Sequence, residues 1–222
     1  MDIEKQRERK IRARKMLTVL RRIFPDAKCA LFYSTPLELL IAVMLSAQCT
    51  DKKVNEVTTK LFKKYRSLSD YALAQSAQFE KDIQPTGFYR NKAKHILKTA
   101  RVIKKKFHGK VPDKMADLLT LPGVARKTAN VVLGNAYGIV EGIAVDTHVR
   151  RFTLKFDLSD HKDSAKIEHD LMEIIPKKEW FLLTFQMIEY GRQICRARKH
   201  NCAEHPLTKI YPPAAHRWPR AQ

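Results

Sequence analysis

Leu121-Pro122-Gly123-Val124-Ala125-Arg126-Lys127-Thr128-Ala129-Asn130, with Val145-Asp146-Thr147-His148 close behind it, is the stretch whose reading decides the fold. Pro122-Gly123 punctuates two helical patterns, so the segment reads as helix, tight hairpin, helix. Gly123 can take a positive φ that a side chain would resist, which permits a tight turn. The helix behind it begins with N–H groups that no earlier carbonyl satisfies. Those donors and the helix dipole suit a phosphate without reading base sequence. An ordinary helix corner has the same spacing, and both readings stand on spacing alone. Lys127 lies just inside the second helix and Asp146 a short way further on, an amine and a carboxylate within plausible reach of each other.

The composition gives this hairpin a setting. Lys and Arg number 43 against 23 Asp and Glu, a formal net charge of +20. So large an excess points to a polyanionic partner, nucleic acid foremost, because phosphate neutralisation supplies affinity. A membrane surface or an acidic protein partner is the other reading. With 222 residues and 44% hydrophobic content, the chain is long and apolar enough for one large or two small domains with proper cores. No apolar run is long enough to span a bilayer. Residues 1–15 are charged throughout with no apolar signal core, so the expectation is a cytoplasmic protein, nucleoid-associated if prokaryotic. Four cysteines, Cys29, Cys49, Cys195 and Cys202, in such a chain argue for reduced thiols or a metal rather than disulfides.

Helical spacing runs through the chain and strand-like alternation is nearly absent, so the expected fold class is all-α. A basic helix is expected over residues 2–23. Thr35-Pro36-Leu37-Glu38 reads as a helix start, with Thr35 as cap, Pro36 in the first turn and Glu38 completing a capping box. Leu37, Leu40, Ile41, Met44 and Leu45 then form one core stripe with Gln48 near its end. Residues 61–65 and 72–79 suggest two further helices, Pro85-Thr86-Gly87-Phe88 a turn, and 92–107 a helix with Ala93, Ile96, Leu97, Ala100 and Ile103 on one face. Another starts at Pro112, residues 138–142 form a linker, and three helices follow from Asp146, over 162–175 and over 177–190. The tail after Cys195 lacks apolar periodicity and is rich in His, Pro and Arg.

Leu121–Val132 followed by Ala144–Arg151 closely resembles the helix-hairpin-helix DNA glycosylases and, within them, the endonuclease III family. The likeness extends through residues 39–48, through Gly87-Phe88-Tyr89-Arg90-Asn91-Lys92-Ala93, and from Tyr190-Gly191-Arg192 to Cys202, so it covers nearly the whole chain. The resemblance implies two helical domains with a DNA-binding cleft between them: 29–139 as a six-helix domain carrying the hairpin, and 1–28 with 140–222 as a second, discontinuous one. It implies a bifunctional glycosylase and apurinic/apyrimidinic lyase that removes oxidised pyrimidines in base excision repair. Lys127 would attack the anomeric carbon and form a Schiff base leading to β-elimination, and Asp146 would steady charge and relay protons. Asp146 also reads as an N-cap, Lys127 as a phosphate contact, and the readings are compatible. A base inside a duplex must be flipped out and the hole filled. By the same resemblance Gln48 fills the gap and Phe88 wedges the opposite strand, with a buried loop anchor as the other reading of Phe88. Gly123, Ala125, Arg126 and Thr128 are expected against DNA, with His148 and Asp51 lining the pocket. Ala125 stands where the family usually has glycine. The expected partner is double-stranded DNA with damaged bases or abasic sites, bound by a monomer. A monofunctional or purine-directed glycosylase and a non-catalytic DNA-binding protein of the same fold are the alternatives.

The tail departs from the family. Relatives carry a four-cysteine iron–sulfur loop after Gly191-Arg192. Here Cys195 and Cys202 match the first two positions, His205 stands at the third and Tyr211 at the fourth. Four thiolates normally hold a [4Fe–4S] cluster, so the expectation is no cluster and no metal. A zinc site from Cys195, Cys202, His205 and one of His200 or His216 is the alternative. A tail without metal would be held by packing of Ile210, Tyr211 and Trp218.

Overall fold

A computed structural model describes residues 3–219. Among the described residues there are eleven α-helices and no strand. The chain divides into two compact units, Ala30–Glu141 and Met1–Cys29 with Gly142–Gln222.

The unit of residues 30–141 holds α2 (Pro36–Leu45), α3 (Asp51–Lys64), α4 (Leu68–Leu73), α5 (Ser76–Ile83), α6 (Tyr89–Lys106), α7 (Met115–Leu118) and α8 (Arg126–Val132). Local chemistry sets their starts. Thr35 Oγ1 accepts from Glu38 N at 3.2 Å, while Glu38 reaches one residue past the cap and accepts from Ser34 N at 2.6 Å. Thr50 caps α3 and a reciprocal Ser67–Asp70 box caps α4. The expected helix at 61–65 therefore begins at Asp51, and the expected 72–79 helix breaks at Ala74-Gln75 into α4 and α5. α2 is nearly all apolar and buried from Leu39 to Leu45. Phe79, Ile83, Ala93, Ile96, Leu97 and Ile103 are buried with it. α8 runs on through a π-helical turn, Leu133–Tyr137, that ends at Gly138 with φ +67°.

The other unit holds α1 (Ile3–Ile23), α9 (Thr147–Lys155), α10 (Ser164–Ile174) and α11 (Trp180–Gln193). Met16, Leu17 and Leu20 of α1 enter a core with Phe152, Phe156, Ile167, Leu171, Leu183 and Tyr190. Phe152 stacks on Phe156 and meets Tyr190 edge-on at 5.3 Å. The tail belongs to this core: Cys195, Cys202, Leu207 and Ala214 are buried in it, and Ile210, Tyr211 and Trp218 pack on it. Lys155 is fully buried, and its ammonium donates to Ala214 O at 2.7 Å and to Arg217 O at 2.9 Å. It also lies 3.8 Å from the centre of the Trp218 ring.

The basic first helix is not simply a solvated face. Arg9, 2% exposed, donates to Asp157 O and binds the carboxylates of Asp157 and Asp160, the latter at 2.7 Å. Arg12 donates to Phe156 O and Asp157 O, and Lys5 bonds Asp160 at 2.7 Å. Together they fasten α1 to the loop between α9 and α10.

This fastening is pH-sensitive. The Arg9 guanidinium and then the Lys5 ammonium hold the Asp160 carboxyl down at about 2. A depressed carboxyl stabilises the fold above its unfolded pKa of about 3.9, and the contribution disappears as pH falls through the folded value. Asp160 is 55% exposed, so solvent screening makes the contribution a fraction of the full linkage value. Asp160→Asn should unfold at lower urea than the wild type at pH 7, with the gap closing as pH falls from about 4 to 2. A gap that is constant over that range would refute this assignment.

Candidate nucleic-acid interface and active site

The hairpin is built as its glycine requires. Leu121 N donates to Leu118 O and Val124 N to Leu121 O, closing successive turns around Gly123 at φ +77°. A Cβ on Gly123 would stand 2.8 Å from His95 Cβ, so both conformation and space demand glycine. Thr99 Oγ1 donates to Pro122 O at 2.7 Å and ties the turn to α6. Ala125 is the N-cap of α8 with φ −95° and ψ 169°, extended backbone that alanine adopts without strain. It provides no side-chain cap, so the helix start is not closed by its own residue. Lys127 follows on the first turn of α8, half-buried, with Thr128 half-buried and Arg126 exposed.

Gln48 and Phe88 line one cavity of about 200 Å³, together with Met44, Asn91, His95 and Gly123. Both are exposed, Phe88 at 63%. Both also hold left-handed backbone, φ +52° at Gln48 and φ +48° at Phe88. Non-glycine residues rarely sit there; each costs on the order of 1–3 kcal/mol and persists only where its surroundings enforce it. The buried group that ties down both approaches is Lys92, a residue that the sequence did not single out. Its buried ammonium donates to Leu45 O and to Thr86 O, both at 2.8 Å, joining the end of α2 to the turn before Phe88. Burial pushes the Lys92 ammonium below its ordinary pKa. The sequence carried a signal for it: Lys92 lies four residues before Ile96 and eight before Ala100, on the buried stripe of α6.

In the other unit Asp146 is the N-cap of α9, its Oδ1 accepting from His148 N at 2.9 Å and Val149 N at 2.8 Å. The anchored carboxylate has a fixed direction at a helix N-terminus. His148 packs on Gly191, where a Cβ would come within 2.2 Å of His148 Nδ1. Gly191 is thus needed for space rather than for a turn. Asp51 opens α3 behind the Thr50 cap. Gln48, Phe88, Gly123 and Lys127 thus belong to the unit of residues 30–141, and Asp146 and His148 to the other.

The tail corrects the expectation of a chain without a metal. None of the four cysteines is in a disulfide. Cys195, His200, Cys202 and His205 bring one donor atom each to within 4.8 Å of one another, a group that could hold a metal ion. His200 lies five residues after Cys195 and two before Cys202, at no cysteine position of the family loop, and folding brings it into the group. The zinc alternative read from the sequence offered His200 or His216 as the fourth donor, and it is His200 that the fold brings into the group.

Comparison with known proteins agrees with this geometry. Residues 41–177 match the family model described as HhH-GPD superfamily base excision DNA repair protein. The chain is 46% identical to endonuclease III of Synechocystis sp. over 96% of its own length and 97% of that protein. It is similar to a solved non-covalent endonuclease III–DNA complex, with a TM-score of 0.87 and 43% identity over 92% of this chain and 96% of that one. A trapped covalent endonuclease III–DNA intermediate with an estranged adenine aligns with a TM-score of 0.86 and 44% identity, over 90% and 94%. The hairpin, the cavity beside it and the whole-length likeness make this chain a member of the endonuclease III family within the HhH-GPD superfamily of base excision DNA repair proteins.

Proposed function

We propose that the chain is a bifunctional DNA glycosylase and apurinic/apyrimidinic lyase acting as a monomer on oxidised pyrimidines in duplex DNA, with Lys127 as nucleophile and Asp146 as its carboxylate partner. The observation that carries this reading is the pair of exposed, left-handed residues, Gln48 and Phe88, on one cavity beside the hairpin glycine. Strained, exposed side chains next to a phosphate-binding turn suit an enzyme that opens a duplex and fills the vacated space. The trapped covalent DNA intermediate of the 44%-identical endonuclease III supports a covalent route for this chain.

In this mechanism the neutral Nζ of Lys127 bonds to C1′ of the damaged nucleotide as the glycosidic C–N bond breaks, and the base leaves with a proton. Opening of the sugar ring gives an iminium, which is an electron sink. A proton then leaves C2′, its electron pair forms the C1′–C2′ enamine, and the C3′–O bond breaks to release the 3′ phosphate. Water finally hydrolyses the Schiff base and frees Lys127. Asp146 steadies the cationic character at C1′ and relays protons. Gln48 occupies the gap, and the Phe88 ring stacks against the opposite strand.

Lys127→Ala should abolish borohydride trapping on a duplex with an oxidised pyrimidine while leaving the far-ultraviolet spectrum unchanged; trapping at the wild-type level would end the nucleophile assignment. The two roles of Asp146 separate in Asp146→Asn, because asparagine keeps the cap. Its melting temperature should stay near wild type while turnover falls at least tenfold, on the order of one removed transition-state interaction. Asp146→Ala should in addition lose about 1 kcal/mol of stability. For the wedge, Phe88→Ala should weaken binding to lesion duplex by about 1–3 kcal/mol, the worth of one stacked base, with unchanged stability. A panel of duplexes carrying oxidised pyrimidines, alkylated purines and mismatched thymine tests the substrate class, and preference for either of the latter two would refute it.

A further inference from the structure

We infer that Cys195, His200, Cys202 and His205 hold a single tetrahedral metal ion of the zinc class, which pins the tail to its helical unit. The relatives' loop uses four cysteines, and here His205 and Tyr211 occupy two of those places. Tyr211 is engaged elsewhere: the Arg12 guanidinium sits 3.9 Å from its ring centre, with Arg217 at 5.4 Å. The fourth donor comes instead from His200, which lies between the two cysteines in sequence.

The state of the histidines fits ligation. His200 Nδ1 lies 2.7 Å from Arg198 O, an acceptor, so Nδ1 carries the proton and Nε2 offers its lone pair. That Nε2 is buried with no hydrogen-bond partner among the described residues, and so is His205 Nδ1. Two orphaned imidazole nitrogens in one buried group are costly unless something binds them. An N–H held by a backbone carbonyl while the other nitrogen points inward is the usual arrangement of a metal-bound histidine. The rings are 5.1 Å apart, and the thiols of Cys195 and Cys202 are 0% and 2% exposed beside them.

Zinc takes sulfur at about 2.3 Å and nitrogen at about 2.0–2.1 Å, which sets ligand atoms roughly 3.3–3.8 Å apart. Donors already gathered within 4.8 Å reach that geometry by closing roughly 1 Å. Two thiolates and two imidazoles neutralise a divalent ion, so the site adds no net charge beside buried Lys155 and Arg151. All four protein positions are filled, the mark of a structural rather than a catalytic site.

The test is metal content, and its readout is independent of any DNA chemistry. The full chain, purified without a metal-affinity step, should contain about one zinc per chain by elemental analysis. Reconstitution with cobalt should give the visible bands of tetrahedral Co(II) and a thiolate charge-transfer band. His200→Ala should weaken zinc in chelator competition by at least about 100-fold, beyond the range of a merely supporting residue. His216→Ala, a tail histidine outside the group, should retain the ion. Should His200→Ala fail to fold, His200→Cys restores a fourth donor and should keep zinc with a stronger thiolate band. Iron with acid-labile sulfide, metal retained unchanged in His200→Ala, or protein without metal after zinc supplementation would each overturn the inference.

Discussion

Buried cations fastened to main-chain carbonyls, rather than to carboxylates, hold this molecule's functional parts in place. Lys92 joins Leu45 O to Thr86 O, Lys155 joins Ala214 O to Arg217 O, and Arg151 donates to Cys195 O at 2.8 Å. Taking an ammonium out of water costs several kcal/mol, so each staple must be repaid by charge-assisted bonds in a dry setting. The return is geometric. A carboxylate partner would fix one side chain to another, whereas a carbonyl partner fixes the path of the backbone. Each staple acts on a segment with little regular structure of its own: the end of α2, the turn before α6, and the tail.

The same constraint explains how two left-handed residues persist at the cavity. Gln48 lies three residues beyond Leu45 and Phe88 two beyond Thr86, the two carbonyls that Lys92 binds. With both backbones tied to one buried group, relaxation of either φ would displace the other attachment or leave a buried ammonium unsatisfied. Strain at the tips is thereby held by desolvation at the base. The side chains remain exposed and available while their backbones are fixed, a preorganisation that suits insertion into a duplex.

The overall charge is divided between two uses. Of the basic residues in α1, Lys5, Arg9 and Arg12 are engaged with the Phe156–Asp160 loop, so the formal +20 overstates what is free to meet phosphate. The helical class was legible because period-3.6 stripes such as those of α2 and α6 face a core whatever else happens. The hairpin was legible because Pro-Gly and its flanking apolar residues are local. What was not legible has a common physical origin in contacts distant along the chain. Lys92 was hidden because a lysine on an apolar stripe becomes a staple only when carbonyls 6 and 47 residues away converge on it. The positive φ of Gln48 and Phe88 carries no glycine to announce it.

The tail is the clearest case, and it separates resemblance from chemistry. Aligned with its relatives, the loop reads as a site with two donors missing, and that reading led to a chain without metal. Folding replaces position by proximity. His200, with no counterpart in the four-cysteine spacing, comes into reach of Cys195, Cys202 and His205 while Tyr211 turns to Arg12. Ligand number depends on which atoms converge, not on which columns are filled. Two orphaned imidazole nitrogens are costly when buried, and beside two buried thiols they form a donor set that a metal ion would satisfy. Lys155 and Arg151 anchor to α9 the same tail that carries the four donors, so the staples hold in place the segment on which the donor group is assembled.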